Sequence, residues 1–499
     1  MQRTLPYRPR FNAPPNAVPP SAAPAPGRRA VVSMRFWWLL GGLLLLAGLS
    51  RAAFAQATGR APRARDHASY DAGVGIASAD SAWSRLALSY YDSTFRGHDW
   101  GAVGRQLHSR AAAAGNMAEV RDAIEAMFAT LGESHFALIP SDAVASWSEA
   151  PEEGKALGDV GLELRLLDGE VIVSRVVAAS PADLAGVHAG WALERVGDVE
   201  VAAFMRERLR VPEGSARRLA ELQLPLSLMA RLQGSVDSQA SLVLRDGFGR
   251  ARAVRLARRA VEGEMVRFGH LPPQLVRFES ERFADARGCI GVVRFNVWMT
   301  PVMPRIDDAM VEFQRCRGVV IDLRGNVGGV AAMVMGIGGY FMDSVASLGT
   351  MTTRTGTLRY VANPRQSDRH GRQLAPFAGA VAILVDGLSV STSEIFAAAL
   401  QTLGRARVFG EASAGQALPA MLAQLPNGDI MQYVVADFVA PDGRRVEARG
   451  VMPDVRLPLR KGALLAGRDE PLLAAMAWVD ERTATASAPS LVRRPLHQR

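Results

Sequence analysis

Apolar residues recur every three or four positions between Ala79 and Leu131, as in Trp83, Leu86, Ala87, Tyr90 and Tyr91, and again in Val120, Ile124, Met127, Phe128 and Leu131. That spacing lines one face of a helix and predicts a small helical domain over 79–150, preceded by a flexible leader at 56–78. Gly132 interrupts the helical pattern, and a short extended segment follows in GESHFALIP. Between about 155 and 259 the pattern changes to short strands, at 160–164, 170–177, 192–199, 240–245 and 253–256. From 264 to 482 strand and helix patterns alternate: a strand at 290–295, a helix at 301–314, and buried strands at 318–323 and 380–385. The last of these strands leads into the helix of SEIFAAALQTLG. Alternation of this kind predicts crossover units and a largely parallel sheet, hence an α/β fold. An amphipathic helix at 471–479 closes the pattern, and 483–499 reads as a disordered tail.

One apolar stretch fits none of these elements. Residues 36–49 (FWWLLGGLLLLAGL) form an unbroken run of fourteen, shorter than the roughly 20 residues that span a bilayer. Arg35 before it and Ala53-Phe54-Ala55 after it give the charged flank and small-x-small ending of a signal peptide, cleaved after Ala55. Met34 directly precedes this unit and is a candidate start, with 1–33 a disordered extension. An uncleaved membrane anchor is the other reading, and either one places the remainder outside the cytoplasm.

The formal net charge of +9 would suit a nucleic-acid partner only if it were spread over the folded chain. Seven arginines lie in residues 1–55 without an acidic residue, and removing them leaves +2 for the rest, which gives no support to a nucleic-acid footprint. Export permits a disulfide, and the two cysteines, Cys289 and Cys316, each stand beside a predicted strand. If those strands are parallel neighbours the two can pair; two buried thiols are the alternative. They cannot form a zinc cluster.

Four segments carry candidate chemistry. DGLSVSTSEIF follows a buried strand and opens a helix, so its serines sit where free amides and the helix dipole favour negative charge. Ser391 and Glu394 are also spaced as a capping box, a purely structural reading. IDLRGNVGGV runs from a strand into glycines that let backbone amides approach a small anionic group, or that merely make a tight turn. GEASAG (410–415) and VEARGVMPDV (446–455) add two further loops after strands.

Taken together and in this order, these segments resemble the peptidase family of C-terminal processing proteases and the tricorn protease core. The resemblance covers most of the chain after the signal segment. It implies a crotonase/ClpP-like α/β core, an N-terminal helical domain and an inserted PDZ-like β-rich domain at 155–259, where SPADLAGVHAGWAL is similar to the PDZ pattern except for Trp191. A generic small β-domain is the plainer reading of that region. In the PDZ resemblance, Val160, Gly161, Leu162, Glu163 and Leu164 form the loop and strand start that hold a peptide. In the "SxSE" motif the nucleophile corresponds to Ser391, with Ser389 and Ser393 as bystanders.

The processing proteases use a serine and a lysine from a "GKG" loop, but the matching loop here reads Ala414-Gly415-Gln416-Ala417. Glutamine cannot act as a base, and neither lysine of the chain, Lys155 or Lys461, falls in the motif. Of eight histidines, His135 alone lies in a family motif, and Ser134-His135 resembles the tricorn-type branch. That resemblance implies His135 as base, with Ser134 and Glu447 in support. Backbone amides of Gly328 or Gly329 and of Thr392 would form the oxyanion hole. No metal or organic cofactor is implied. The expected partners are peptides or unfolded proteins, with membrane contact only through an uncleaved signal segment. Two alternatives stay open: an inactive relative that binds peptides, and an esterase on the same core.

Overall fold

The computed structural model describes residues 70–141, 157–211, 215–266 and 274–487. The apolar run at 36–49, the leader up to residue 69, Lys155 and the segment beyond 487 lie outside the described residues. Among the described residues no helix is long and apolar enough to cross a membrane.

The chain opens with three helices: α1 (Ala72–Ser89), α2 (Trp100–Ala113) and α3 (Met117–Leu131). The first begins at Ala72, inside the stretch read from sequence as a flexible leader, because the Asp71 carboxylate accepts the Gly73 and Val74 amides and caps it. Asn116 caps α3 in the same way, and Gly132 ends it with the left-handed conformation (φ 62°) that a glycine adopts without a Cβ clash. The chain then enters β1 (Ala137–Ile139). The apolar faces of α1 and α3, with Leu86, Tyr90, Ile124 and Phe128, pack on Leu418, Leu425, Met431 and Tyr433 from far along the chain. Under this contact Arg121 donates two hydrogen bonds of 2.8 Å to the buried Asp429, which also accepts the Ser141 amide. The helical domain is thus pinned to the core by packing and by a buried ion pair.

A β-rich domain follows. Its five-stranded path runs in the order β2 (Leu162–Leu167), β3 (Glu170–Val176), β4 (Ala192–Val196), β5 (Gln239–Arg245) and β6 (Ala251–Ala257), all antiparallel. Helix α4 (Ser215–Leu232), which the strand pattern did not anticipate, supplies Leu224, Leu228 and Leu232 to the same apolar core as Leu162 and Leu164.

The core is a six-stranded sheet ordered β7 (Phe278–Asp285), β8 (Gly288–Phe295), β9 (Gly318–Asp322), β10 (Ala380–Val385), β11 (Arg407–Gly410) and β14 (Val455–Arg456). Only the β7–β8 pair is antiparallel. Strands β9 and β10 read as continuous apolar runs because both faces are covered. Val320, Ala382 and Leu384 pack beneath Ala475 and Val479 of the closing helix α7 (Glu470–Ser487). Val319, Ile321, Val381 and Ile383 point the other way, towards Phe313 of α5 (Val302–Phe313) and Phe396 of α6 (Thr392–Thr402). Helix α7 therefore runs past the predicted end at 479 and into the stretch read as tail. Two more strands, β12 (Ala420–Gln424) and β13 (Ile430–Val434), pair with β1 in a separate small sheet. A disulfide joins Cys289 at the start of β8 to Cys316 just before β9.

Candidate active site

The turn between β10 and α6 carries Ser391. Asp386 shapes it: its Oδ1 accepts the Leu388 and Gly325 amides, and its own amide donates to Ser389 Oγ. Val390 N–H donates to the Asn326 carbonyl, which ties this turn to the glycine-rich one. Ser391 then adopts φ 56°, a left-handed conformation that costs a residue with a Cβ on the order of 1–3 kcal/mol. The hydroxyls of Ser389 and Ser393 are engaged with the Leu323 and Asn326 carbonyls.

Glu394, one turn into α6, does more than cap a helix. Its Oε2 accepts the Ser391 and Gln416 amides at 3.0 and 2.9 Å, while its Oε1 accepts Ser413 Oγ at 2.6 Å and the Gly415 amide at 2.7 Å. Burial outweighs the pull of these four donors and leaves its pKa pushed up to about 7. Ser391 N–H also donates to the Gln416 carbonyl at 2.8 Å, so Gln416 is stitched to the Ser391 turn through its backbone.

The glycine-rich turn lies directly against Ser391. A Cβ at Gly328 would sit 2.7 Å from Ser391 Cβ, and one at Gly329 2.3 Å from the Trp298 carbonyl oxygen, so both positions exclude any side chain. Gly328 N–H is already donated to Asn326 Oδ1. Among the described residues, the amides of Gly329 and Thr392 donate to no protein acceptor.

On the other side, Ser134 and His135 follow the glycine that ends α3. His135 is itself left-handed (φ 63°), as is Ala448 (φ 65°) next to Glu447. Ser134 N–H and Oγ donate to Glu447 Oε1 and Oε2 at 3.1 and 3.0 Å, and Ser134 Oγ lies 2.8 Å from His135 Nδ1. The Ala417 amide, adjacent to Gln416, donates to Glu447 Oε2 at 2.8 Å. With the serine hydroxyl donating to the carboxylate, its oxygen accepts from Nδ1–H, which assigns the lone pair to Nε2. Dehydration pushes the His135 pKa down to about 4, so the ring is neutral at pH 7. Burial raises the Glu447 carboxyl, against the pull of its three donors. Among the described residues no hydrogen bond joins the Ser391 hydroxyl to His135. The two halves connect through residues 416 and 417, one bonded to Ser391 and the next to Glu447.

Lys461 is engaged elsewhere: its Nζ bonds Glu170 of the β-rich domain at 2.6 Å. That domain also touches the Ser391 turn. Arg165 of β2 donates to Asp386 Oδ2 at 2.7 Å, and Leu222 of α4 packs with Leu388 and Val390. In the predicted peptide loop, Gly161 has φ 83° and its amide donates to Asp159, and Val160 O accepts the Ala182 amide. Leu162, Glu163 and Leu164 begin β2, the outer strand of the sheet beside α4, where Leu164 N–H meets Met229 Sδ. Glu163 is held by Arg175 and Arg294, which keep its carboxyl down at about 2 against burial.

The reach of Glu394 to Gly415 and Gln416, and the engagement of the Gly328 amide by Asn326, were missed in the sequence. Only the three-residue spacing of Ser391 and Glu394 hinted at the first, and it pointed no further than a cap.

Comparison with known proteins finds similarity over the stretch that carries much of this site. Residues 289–457 match the sequence profile of Peptidase family S41. A carboxyl-terminal-processing protease of Picosynechococcus sp. (strain ATCC 27264 / PCC 7002 / PR-6) is 25% identical over 386 residues, 76% of this chain and 82% of that protein. The "Probable CtpA-like serine protease" of Staphylococcus aureus (strain N315) is 19% identical over 341 residues, 68% of this chain. The chain spans 60% of the length of that relative. In fold, the photosystem II D1 C-terminal processing protease is similar, with a TM-score of 0.51 at 22% identity, covering 80% of this chain and 97% of that one. The matched stretch, residues 289–457, holds Ser391 and Glu447 but not His135, and it is through this stretch that the chain is similar to Peptidase family S41.

Proposed function

We propose that this protein is an exported serine peptidase that hydrolyses peptide bonds through an acyl-enzyme on Ser391, with His135 as its base. The observation that carries the reading is the hydrogen-bonded chain from His135 Nδ1 through Ser134 Oγ to Glu447, which leaves Nε2 of a neutral imidazole free to take a proton. In the first step His135 Nε2 accepts the Ser391 proton as Oγ attacks the substrate carbonyl. The tetrahedral oxyanion is met by the Gly329 and Thr392 amides, and each such donor is worth about 3 kcal/mol of transition-state stabilisation. His135 then protonates the leaving amine, and the acyl ester remains on Ser391. Water, deprotonated by the same imidazole, releases the acid and restores the serine. Ser134 and Glu447 orient the imidazole and stabilise its charge while it holds the proton. Gly328 contributes its missing side chain, which lets the amides approach.

Peptides and unfolded proteins are the substrates we assign, through a PDZ-like reading of the β-rich domain, in which Val160 to Leu164 meet an added strand. The apolar run at 36–49 and the Cys289–Cys316 disulfide support export. One observation favours an inactive peptide-binding relative instead: the Ser391 hydroxyl and His135 are not hydrogen-bonded. Such bonds often close only when substrate arrives. A fluorophosphonate probe separates the two. Labelling confined to Ser391, with turnover of a peptide amide as well as an ester, supports the peptidase. Absence of labelling in folded protein overturns it, and turnover of esters alone makes the protein an esterase.

A further inference from the structure

Immediately before Ser134, Glu133 turns away from the site into a pocket of donors. Its side chain is 2% exposed, and it accepts hydrogen bonds from Tyr90 Oη (2.5 Å), Tyr91 Oη (2.7 Å), Arg96 (2.9 Å) and Arg445 (2.7 Å). Arg445 stands two residues before Glu447 and is braced in turn by both carboxylate oxygens of Asp437 and by Tyr91 Oη. Two cross-links therefore join the same pair of segments side by side. Glu133 to Arg445 is the outer one, and Ser134 to Glu447 is the inner one. The inner link consists of two hydrogen bonds donated by one serine. The outer link is an ion pair shielded from solvent on its carboxylate side, with two tyrosines at the end of α1 fixing the carboxylate.

We infer that Glu133 and Arg445 are positioning residues for the reaction: their ion pair sets the register of the Ser134–His135 turn against the Glu447 loop and so aims the imidazole. The inference rests on the His135 mechanism above. Neither residue touches substrate. Their effect passes through the placement of His135, for which a shift of about 1 Å can cost on the order of 10²-fold in rate.

The test uses Glu133→Gln, Arg445→Gln and the double variant in the full-length protein, read by peptidase kinetics and by the rate of fluorophosphonate labelling. Each single change is expected to lower kcat by about 10²-fold with KM within about twofold, and labelling by the same factor. Because one pair is broken in every case, the double variant is expected to lose no more than about threefold beyond either single. Arg96→Ala, which removes the outermost partner of Glu133, is expected to leave kcat within about threefold. Folded single variants with kcat within threefold of wild type, or fully additive losses in the double, overturn the inference. Should the glutamine variants fail to fold, Arg445→Lys keeps the charge without the fork. It then gives about a tenfold lower kcat at unchanged KM, and an unchanged kcat overturns the inference. If His135→Ala labels normally, the base assignment itself has failed, which is a different outcome from an essential His135 indifferent to Glu133.

Discussion

The turn that carries Ser391 and the turn that carries His135 are both left-handed at the reacting residue, yet they are held in opposite ways. Ser391 is fixed from within the core: the Glu394 carboxylate of α6, the Asn326 carbonyl that holds the neighbouring Val390 amide and a glycine at 328 all lie in segments that follow β9 and β10 of one sheet. His135 is fixed across a domain boundary. Its partners Ser134 and Glu447 belong to segments more than three hundred residues apart, and Tyr90, Tyr91, Arg445 and Glu133 brace the joint. A nucleophile built this way keeps its conformation as long as the sheet is folded. A base built this way depends on the docking of the helical domain. The difference also bears on the missing lysine: Gln416 bonds the Ser391 turn through its backbone, while the proposed mechanism gives proton transfer to a residue from the helical domain.

The comparison can be broken at several points. Ser391→Ala or His135→Ala is expected to lower kcat by about 10⁶-fold, and the double variant to be no worse, because the two act as one unit. Kinetics in which the losses multiply would show that they do not. Glu447→Gln is expected to cost about 10³-fold in kcat while leaving the Ser391 turn intact, since the carboxylate acts through Ser134 rather than directly on the imidazole. Glu394→Gln sharpens the contrast from the other side. Its new NH₂ must face N–H or O–H donors that the carboxylate accepted, at a cost of about 3 kcal/mol of stability measurable by urea denaturation. A Glu394→Gln protein as stable as wild type would remove the claim that this carboxylate holds the nucleophile turn. The remaining effect is in pH. His135 has its folded pKa pushed down to about 4, below the unfolded value near 6.5. Between those limits the unfolded chain binds a proton that the folded one refuses, so stability falls as pH drops from about 6.5 to about 4. Wild type should lose more stability across this window than His135→Ala does, and parallel losses would show that His135 titrates normally.

Much of the core was legible because its strands carry their own signal. The run at 380–385 is buried on both faces and reads as a strand without any knowledge of its neighbours, and the structure has β10 at Ala380–Val385. Ser391 stood out for the same local reason, as a serine at a strand-to-helix turn. The helical domain was legible in the middle and obscure at its start, because a single capping aspartate, Asp71, sets that boundary among small residues with weak periodicity. Helix α4 was hidden inside a strand-rich stretch, where Pro225 breaks the helical pattern. What no local pattern could reveal was convergence. Glu394 looks like a cap until Ser413, Gly415 and Gln416 fold back onto it, and Glu133 and Arg445 look like surface charges until the chain closes between them.

The central claim is that His135, and no other group, removes the proton from Ser391. It is tested most directly by measuring the rate of fluorophosphonate labelling at Ser391 in folded wild-type and His135→Ala protein, with the adduct located by mass spectrometry. The account predicts an adduct on Ser391 in wild type and a rate lower by several orders of magnitude in the variant. Equal labelling rates in the two proteins would contradict it.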